Sequence, residues 1–179
     1  MELSLTLRSS SLADWPRPQN LTEIRAFVAL VSYYRRHIRS FAEIARPLHE
    51  LTKKNVCFYW GSCQEYAFYA LQDALINAPV LSMPINSGEY VLYTDANNYS
   101  MGCVLQQWQG ELKVIGYASK AFSQTEQRYC TTRREPAAVM FGLKYYRHFL
   151  LGFPFVLGSD HAALTHLLRM PNPVAPSVR

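Results

Sequence analysis

The run Tyr90-Val91-Leu92-Tyr93-Thr94-Asp95 decides which fold this chain is predicted to have. Its aromatic and β-branched residues favour a β-strand that ends in an acid. Strands are also predicted over residues 101–108 and 112–118, and Gln109-Gly110 between them is typical of a tight turn. We therefore expect an antiparallel meander of three strands, the first of which covers residues 89–95.

Downstream of the meander, a long helix is predicted over 132–149, a fourth strand over 153–159 and a short helix over 162–168. Prolines after residue 170 prevent this last helix from continuing. The order of elements resembles most of the ribonuclease H-like α/β fold, which is built on a mixed sheet. That fold ordinarily has a fifth strand and a last helix, and we expect both to be missing from this chain.

Upstream of the meander, the pattern is helical. Asn20-Leu21-Thr22-Glu23 is typical of a capping box, and apolar residues then recur at helical spacing over 24–34. A short helix is predicted over 47–51, and another follows a second capping pattern at 60–65. The predicted parts are a tail and linker over 1–19, a small helical connection over 20–56 and an RNase H-like domain over 57–179.

The composition limits the classes of function. Of 179 residues, 49% are apolar and 17% charged, which is enough for a core and excludes a disordered chain. The formal net charge of +5 favours a polyanionic partner. Four scattered cysteines lack zinc-ligand spacing, so we expect reduced thiols in an intracellular protein, cytoplasmic or nuclear. No membrane span or signal peptide is recognisable, so neither membrane insertion nor secretion is expected.

Three acids lie in settings that suit a metal site. Asp95 ends the first strand, Glu135 lies in the first turn of the long helix, and Asp160 ends the fourth strand. Such acids can converge on divalent cations that hydrolyse a phosphodiester. Each acid also has a purely structural interpretation. Asp95 could begin a turn, Glu135 could complete a capping box with Thr132, and Asp160 could cap the helix after it.

Short motifs along most of the chain support a more specific interpretation. In the first part they are Asp14-Trp15-Pro16, Leu21-Thr22-Glu23-Ile24-Arg25-Ala26-Phe27, Ser32-Tyr33-Tyr34-Arg35-Arg36, Ala45-Arg46-Pro47-Leu48 and Leu51-Thr52-Lys53-Lys54. In the second part they are Ala78-Pro79-Val80-Leu81, Thr94-Asp95-Ala96, Gly102-Cys103-Val104-Leu105, Tyr117-Ala118-Ser119-Lys120, Tyr129-Cys130-Thr131-Thr132-Arg133-Arg134-Glu135, Tyr146-Arg147-His148-Phe149-Leu150-Leu151-Gly152 and Asp160-His161-Ala162-Ala163-Leu164. Together they resemble the Pol polyprotein of gypsy-class LTR retrotransposons, from the end of the reverse transcriptase through its RNase H. The resemblance covers residues 14–173.

The resemblance implies a role for each acid. Asp95 would bridge two Mg²⁺ ions, Glu135 would hold one ion near the scissile phosphate, and Asp160 would hold the ion that activates the attacking water. Hard oxygen ligands suit Mg²⁺, with Mn²⁺ as a substitute, and the absence of a Cys/His cluster argues against zinc. The implied ancestral reaction is endonucleolytic hydrolysis of the RNA strand in an RNA–DNA hybrid.

Basic and aromatic residues in two places are predicted to contact nucleic acid. They are Arg35, Arg36 and Arg39 after the first helix, and Tyr129, Arg133 and Arg134 at the start of the long helix. The first group could equally offset a helix dipole, and the second could be a solvated helix start. The expected partners are an RNA–DNA hybrid or another nucleic acid and, ancestrally, the rest of a reverse transcriptase.

Some features of the chain depart from the family pattern. The family has a fourth metal-binding carboxylate on its last helix, but no Asp or Glu follows Asp160. Without the last strand and helix, the sheet face that they cover would be exposed. Pro136 follows Glu135 directly, and proline disfavours helical angles at the residue before it, so Glu135 is expected to point differently from its family counterpart.

The sequence therefore leaves two hypotheses open. The leading one is an RNase H-like domain of a reverse transcriptase polyprotein, without polymerase activity because no Asp-Asp pair is present. The alternative is a non-catalytic domesticated or relic fragment that binds nucleic acid or a protein partner. The two hypotheses differ in whether the chain is itself an enzyme, and the sequence is compatible with both.

Overall fold

A computed structural model describes residues 15–159 of the chain. Its helices are α1 (Leu21–Tyr33), α2 (Phe41–Ile44), α3 (Arg46–Leu51), α4 (Ser62–Ile76), α5 (Thr131–Tyr145) and α6 (Arg147–Leu150). Its strands are β1 (Tyr90–Ala96), β2 (Ser100–Trp108), β3 (Leu112–Ala121) and β4 (Phe155–Ser159). Short 3₁₀ turns cover Arg35–His37 and Glu126–Arg128.

The four strands form one mixed sheet in the order β3-β2-β1-β4. β1, β2 and β3 are antiparallel neighbours, which confirms the predicted meander, and β4 lies parallel to β1. The register pairs Asp95 with Gly102 on β2, and Thr94 with Ser159 on β4. The described end of β4 therefore lies beside the acid-bearing end of β1.

Helix α5 packs across one face of the sheet. Its buried residues recur at helical spacing and are Glu135, Ala138, Val139 and Gly142. Gly142 permits a close approach, because a Cβ there would lie 3.3 Å from side-chain atoms of Leu92, Thr94 and Cys103. The core of the sheet forms between this helix and the inward residues of the strands, including Leu92, Leu105 and Ile115.

The helices before the sheet form a second core. Asn20 is confirmed as the N-cap, since its Oδ1 accepts from the Glu23 amide at 3.0 Å. The Glu23 carboxylate accepts from the Asn20 side-chain amide at 2.6 Å and from the Gln19 backbone amide at 2.7 Å, one residue before the amide that a capping box uses. Phe27 of α1 packs on Phe68 of α4 with ring centroids 4.6 Å apart. Helix α4 therefore packs with the helical connection and not with the sheet. The domain boundary at residue 57 stays a prediction.

Three contacts hold the helical part against the sheet. The Arg35 guanidinium donates to the Ser119 carbonyl at 2.5 Å, and the Ala42 amide donates to the Ser119 hydroxyl at 2.9 Å. The Arg46 guanidinium lies 3.9 Å from the centre of the Tyr99 ring, within range of a cation–π interaction. These contacts set the position of segment 35–46 relative to the end of β1.

Most of the predicted tail and linker lies outside the described residues. Its described part, residues 15–19, forms no helix or strand and contacts the helices: the Trp15 and Phe27 ring centroids are 6.2 Å apart, and Arg17 pairs with Glu65 at 3.4 Å. One expectation about local structure is wrong. Pro136 does not displace Glu135 from the helix, since α5 continues through both residues. Pro136 lies inside α5, which begins at Thr131, and so removes one intrahelical backbone hydrogen bond; the burial of four α5 residues offsets this cost.

The remaining local predictions hold with shifted boundaries. The long helix ends at Tyr145, and α6 follows it as a separate short helix. All four cysteines are free, as expected, and Cys103 is the buried one. Within residues 15–159, no helix is both long and apolar enough to cross a bilayer. The predicted helix over 162–168 lies outside the described residues.

Candidate metal and nucleic-acid site

Asp95 lies at the C-terminal end of β1 and is exposed. Side chains alternate along a strand. Because Thr94 faces α5 at Gly142, Asp95 faces the opposite side of the sheet. There it lines an open cleft of about 450 Å³, together with Asn97, Ser100 and Ser159. Its carboxylate is therefore accessible to a ligand in this cleft.

Glu135 lies near the N-terminus of α5 and is only 4% exposed. It shares the sheet-facing side of the helix with Ala138, which packs against Met101 beside the end of β1. One turn further on, Gly142 meets Leu92 and Thr94 in the middle of that strand. The helix therefore runs back along β1, and its N-terminal turns put Glu135 toward the end of the sheet that carries Asp95.

The second wall of the cleft comes from the helical part, through Arg39, Ser40 and Glu43. Ser40 has a left-handed backbone with φ of 54°, which is costly for a residue with a side chain. This turn, together with the bond from the Ala42 amide to Ser119, directs the chain along the cleft. Arg39 and Glu43 of the helical part thus line the same cleft as Asp95 of the sheet.

The donor atoms of the cleft fit a hard divalent cation better than a soft one. The oxygens of Asp95 and its polar neighbours are the ligands that Mg²⁺ prefers. Burial raises the pKa of the Cys103 thiol to about 12, which keeps it protonated and unsuitable as a thiolate ligand.

The described residues contain two of the three predicted metal-binding acids. No three histidine, cysteine, aspartate or glutamate side chains between residues 15 and 159 cluster closely enough to hold an ion. Asp160 lies outside the described residues, directly after Ser159. The shared ligand set therefore stays a prediction: Asp95 and Glu135 lie toward the same end of the sheet, with Asp95 facing the cleft and Glu135 buried between α5 and the sheet.

The basic residues at the start of α5 have different environments. The Arg134 guanidinium donates to the Asn98 side chain, and also to the Gln127 carbonyl at 3.1 Å. Arg134 therefore links the start of α5 to the turn between β1 and β2. Arg133 is exposed, and within the described part of the chain its guanidinium has no polar partner. Tyr129 is half-buried at the edge of a second groove.

The three arginines after α1 also differ. Arg35 bonds to Ser119 and lies 5.6 Å from the Phe41 ring centre, which is a structural role. Arg36 approaches His37, whose pKa is lowered by burial and by this cation. Arg39 alone of the three lines the cleft with Asp95. Their contacts with nucleic acid stay predictions.

Sequence reasoning missed several residues of the cleft. It assigned no role to Ser40 or Glu43, because nothing in the local pattern places residues 40–43 beside a strand some fifty residues later. Asp95 at the strand end and Arg39 were the two residues of this cleft that the sequence had singled out.

Comparison with known proteins agrees with this geometry. Residues 60–157 match the RNase H-like domain found in reverse transcriptase. The chain is 37% identical over 163 residues to the retrovirus-related Pol polyprotein from transposon 412 of Drosophila melanogaster, covering 90% of this chain and 13% of that polyprotein. The Transposon Tf2-3 polyprotein of Schizosaccharomyces pombe is 32% identical, with 84% of this chain and 12% of the relative covered. The chain thus spans less than a fifth of these relatives.

Solved structures share the fold. A foamy viral protease-reverse transcriptase in complex with double-stranded DNA superposes with a TM-score of 0.76 at 22% identity, over 95% of this chain and 30% of that one. The same kind of protein in complex with an RNA/DNA hybrid gives 0.73 at 22% identity, over 95% and 23%. The sheet order, the helix across its face and the matched residues place the chain in one family: it belongs to the RNase H-like domains found in reverse transcriptases, and its relatives are retrotransposon Pol polyproteins.

Proposed function

We propose that this domain is a metal-dependent endonuclease that hydrolyses the RNA strand of an RNA–DNA hybrid. The observation that supports it most is the exposed carboxylate of Asp95, at the strand end where β4 lies parallel to β1. Glu135 approaches the same end from the buried side of α5. The order of the sequence motifs further supports a gypsy-class LTR retrotransposon as the source.

Asp95, Glu135 and Asp160 form the proposed ligand set. Bound divalent ions, Mg²⁺ or Mn²⁺, would stabilise charge on the entering and departing oxygens of the phosphodiester. The contribution of the protein is to hold these oxygen ligands in place. The burial of Glu135 limits the orientations that its carboxylate can take. The exposed Asp95 leaves room for the backbone of a substrate in the cleft.

The binding of a hybrid is supported by charge and by fold. The chain has a formal net charge of +5, and Arg39 lies in the same cleft as Asp95. Arg133 offers an exposed cation at the start of α5. The foamy viral proteins of the same fold were solved with double-stranded DNA and with an RNA/DNA hybrid. Contacts of this kind set affinity and position more than sequence preference.

Replacing the ligands tests the proposal. The chain is incubated with a hybrid labelled on its RNA strand in Mg²⁺ or Mn²⁺, beside Asp95→Asn and Glu135→Gln. We expect cleavage by the parent and a loss above about 100-fold in each variant, because even outer-shell changes at metal sites cost 10–100-fold. Asp73→Asn is the matched control, since Asp73 is an exposed acid on α4 and its removal changes the charge equally.

A second readout does not depend on catalysis. Mn²⁺ should raise the unfolding temperature of the parent and of Asp73→Asn, but not that of Asp95→Asn, because a ligand that binds only the folded state stabilises it. Hybrid binding without cleavage and without a Mn²⁺ effect would favour the non-catalytic alternative. Cleavage that persists in Asp95→Asn would contradict the site assignment.

A further inference from the structure

A groove with no assigned role runs along the exposed side of α5. It has a volume of about 460 Å³ and lies between that helix and the end of β3 with the 3₁₀ turn after it. Its lining includes Lys120, Glu126, Tyr129, Met140, Lys144 and Tyr145. We call it the α5 groove. Met140 and Lys144 lie on the side of the helix opposite to Glu135, because side chains follow a period of 3.6 residues.

The α5 groove is positively charged. Among the described residues, Lys144 has no carboxylate partner. Lys120 pairs with Glu126 at 3.0 Å, but the Glu126 carboxylate also accepts from the Ser123 amide at 2.7 Å. Arg133 extends the same side of α5 toward its N-terminus, at helical spacing from Met140 and Lys144. Two lysines and an arginine therefore line one path, with a single acid beside them.

The floor between these cations is unusually apolar for a solvated helix face. Met140 is 51% exposed and Tyr145 43% exposed. The Tyr145 ring packs on Phe141, with centroids 5.8 Å apart, which limits its freedom. Cations that alternate with exposed apolar side chains suit the backbone of a nucleic-acid strand, whose phosphates bind the cations while its sugars cover the apolar atoms.

We propose that the α5 groove binds the phosphate backbone of one strand of the nucleic acid that the domain acts on, with Lys120 and Lys144 as the phosphate contacts. The inference rests on the proposed function, and it adds a binding track outside the cleft that contains Asp95. Arg133 and Lys144 are eleven positions apart, or about 16 Å along the helix. That length spans about five phosphates of one strand of a duplex, at an axial spacing of about 3.4 Å.

A double substitution with a charge-matched control tests the groove. Binding of a fluorescein-labelled RNA–DNA hybrid is followed by anisotropy in EDTA from 0.05 to 0.5 M salt for the parent, Lys120→Gln/Lys144→Gln and Lys54→Gln/Lys113→Gln. Lys113 matches Lys120, because it lies on the same strand and pairs with an acid, Glu111. Lys54 matches Lys144 because both are exposed and neither has a carboxylate partner among the described residues. Thermal unfolding checks that each variant is folded.

The expected result is specific in size. The plot of log K against log salt has a negative slope, and each lost phosphate contact makes it shallower by about 0.9. The slope of the groove variant should therefore be shallower than that of the parent by about 1.8. At 0.1 M salt this amounts to about 8-fold weaker binding for each lysine, or about 60-fold for both. The control variant should keep the parent slope, since its charges are removed outside the groove.

The outcomes separate this inference from the proposed function. Equal slopes and affinities for the two double variants would overturn the groove assignment, while a parent that still cleaves the hybrid would keep the nuclease proposal. In that case an acidic protein surface would be the alternative ligand of the α5 groove. A parent that neither binds nor cleaves the hybrid would remove both proposals.

Discussion

Arg35→Gln should destabilise the protein by weakening the contact between the helical part and the sheet. In the structure the Arg35 guanidinium donates to the Ser119 carbonyl at 2.5 Å and lies 5.6 Å from the Phe41 ring centre. A hydrogen bond to a charged group contributes about 1.5–3 kcal/mol, and an exposed cation–π contact about 0.5–1 kcal/mol. Because Arg35 is an exposed residue, we take the lower part of these ranges and expect a loss of about 1.5–2 kcal/mol.

Thermal unfolding measures this loss. For a chain of this size, 1 kcal/mol corresponds to about 2–4 °C, so the midpoint should fall by about 3–8 °C. Hydrogen exchange should also become faster at the Ala42 amide, which the same Ser119 residue binds. Arg25→Gln on α1 removes an equal charge from an exposed position and should change the midpoint by less than about 1 °C.

The same variant separates two roles for Arg35. If its role is structural, a folded Arg35→Gln protein should keep the parent slope of hybrid affinity against salt. A midpoint equal to that of Arg25→Gln would refute the reasoning, because the contact with Ser119 would then contribute nothing measurable. A lower salt slope at an unchanged midpoint would instead favour the original prediction that Arg35 contacts phosphate.

Two further predictions concern the sheet. Thiol labelling at pH 8 should modify the three exposed cysteines and spare Cys103 until the protein is unfolded. The reason is that burial raises the pKa of Cys103 to about 12 and only a thiolate reacts. Rapid labelling of all four thiols in the folded protein would contradict the buried position of Cys103. Gly88→Ala should destabilise the protein by more than about 2 kcal/mol, because φ is 114° and a Cβ would lie 2.2 Å from the Trp108 carbonyl oxygen. The control Gly110→Ala has φ of 81° and no atom within 4 Å, so it should cost only about 1–2 kcal/mol, and equal losses would disprove the clash.

Local sequence patterns predicted most of the elements because their signals are local. The alternation along 90–95 and the turn at Gly110 determine the meander, and the N-cap Asn20 determines the start of α1. The prediction for Pro136 failed because proline was judged by local backbone preference alone. Pro136 lies inside the helix, where it costs a backbone hydrogen bond, and the packing of α5 on the sheet outweighs that cost.

The burial of Gln107 is a feature that depends on tertiary packing and that no local sequence pattern predicts. Gln107 is 1% exposed in a strand, and its side-chain amide bonds both the amide and the carbonyl of Ile85 at 2.9 Å. A polar residue in a strand would ordinarily be assigned to the solvent face. Its burial depends on segment 80–89 lying beside β2, which is a long-range arrangement.

The strand order of the meander, the amphipathic helices, the family and the acids at the ends of strands were predictable from the residues alone, because they depend on residue type and short spacing. Three arrangements emerge only in the folded protein: Glu135 approaches the end of β1 from beneath α5, Arg39 lines a cleft with Asp95, and Lys120 and Lys144 share one groove. These residues meet because a helix packs on a sheet and one core packs on another. Such contacts join parts of the chain that are far apart in sequence, and no periodicity encodes them.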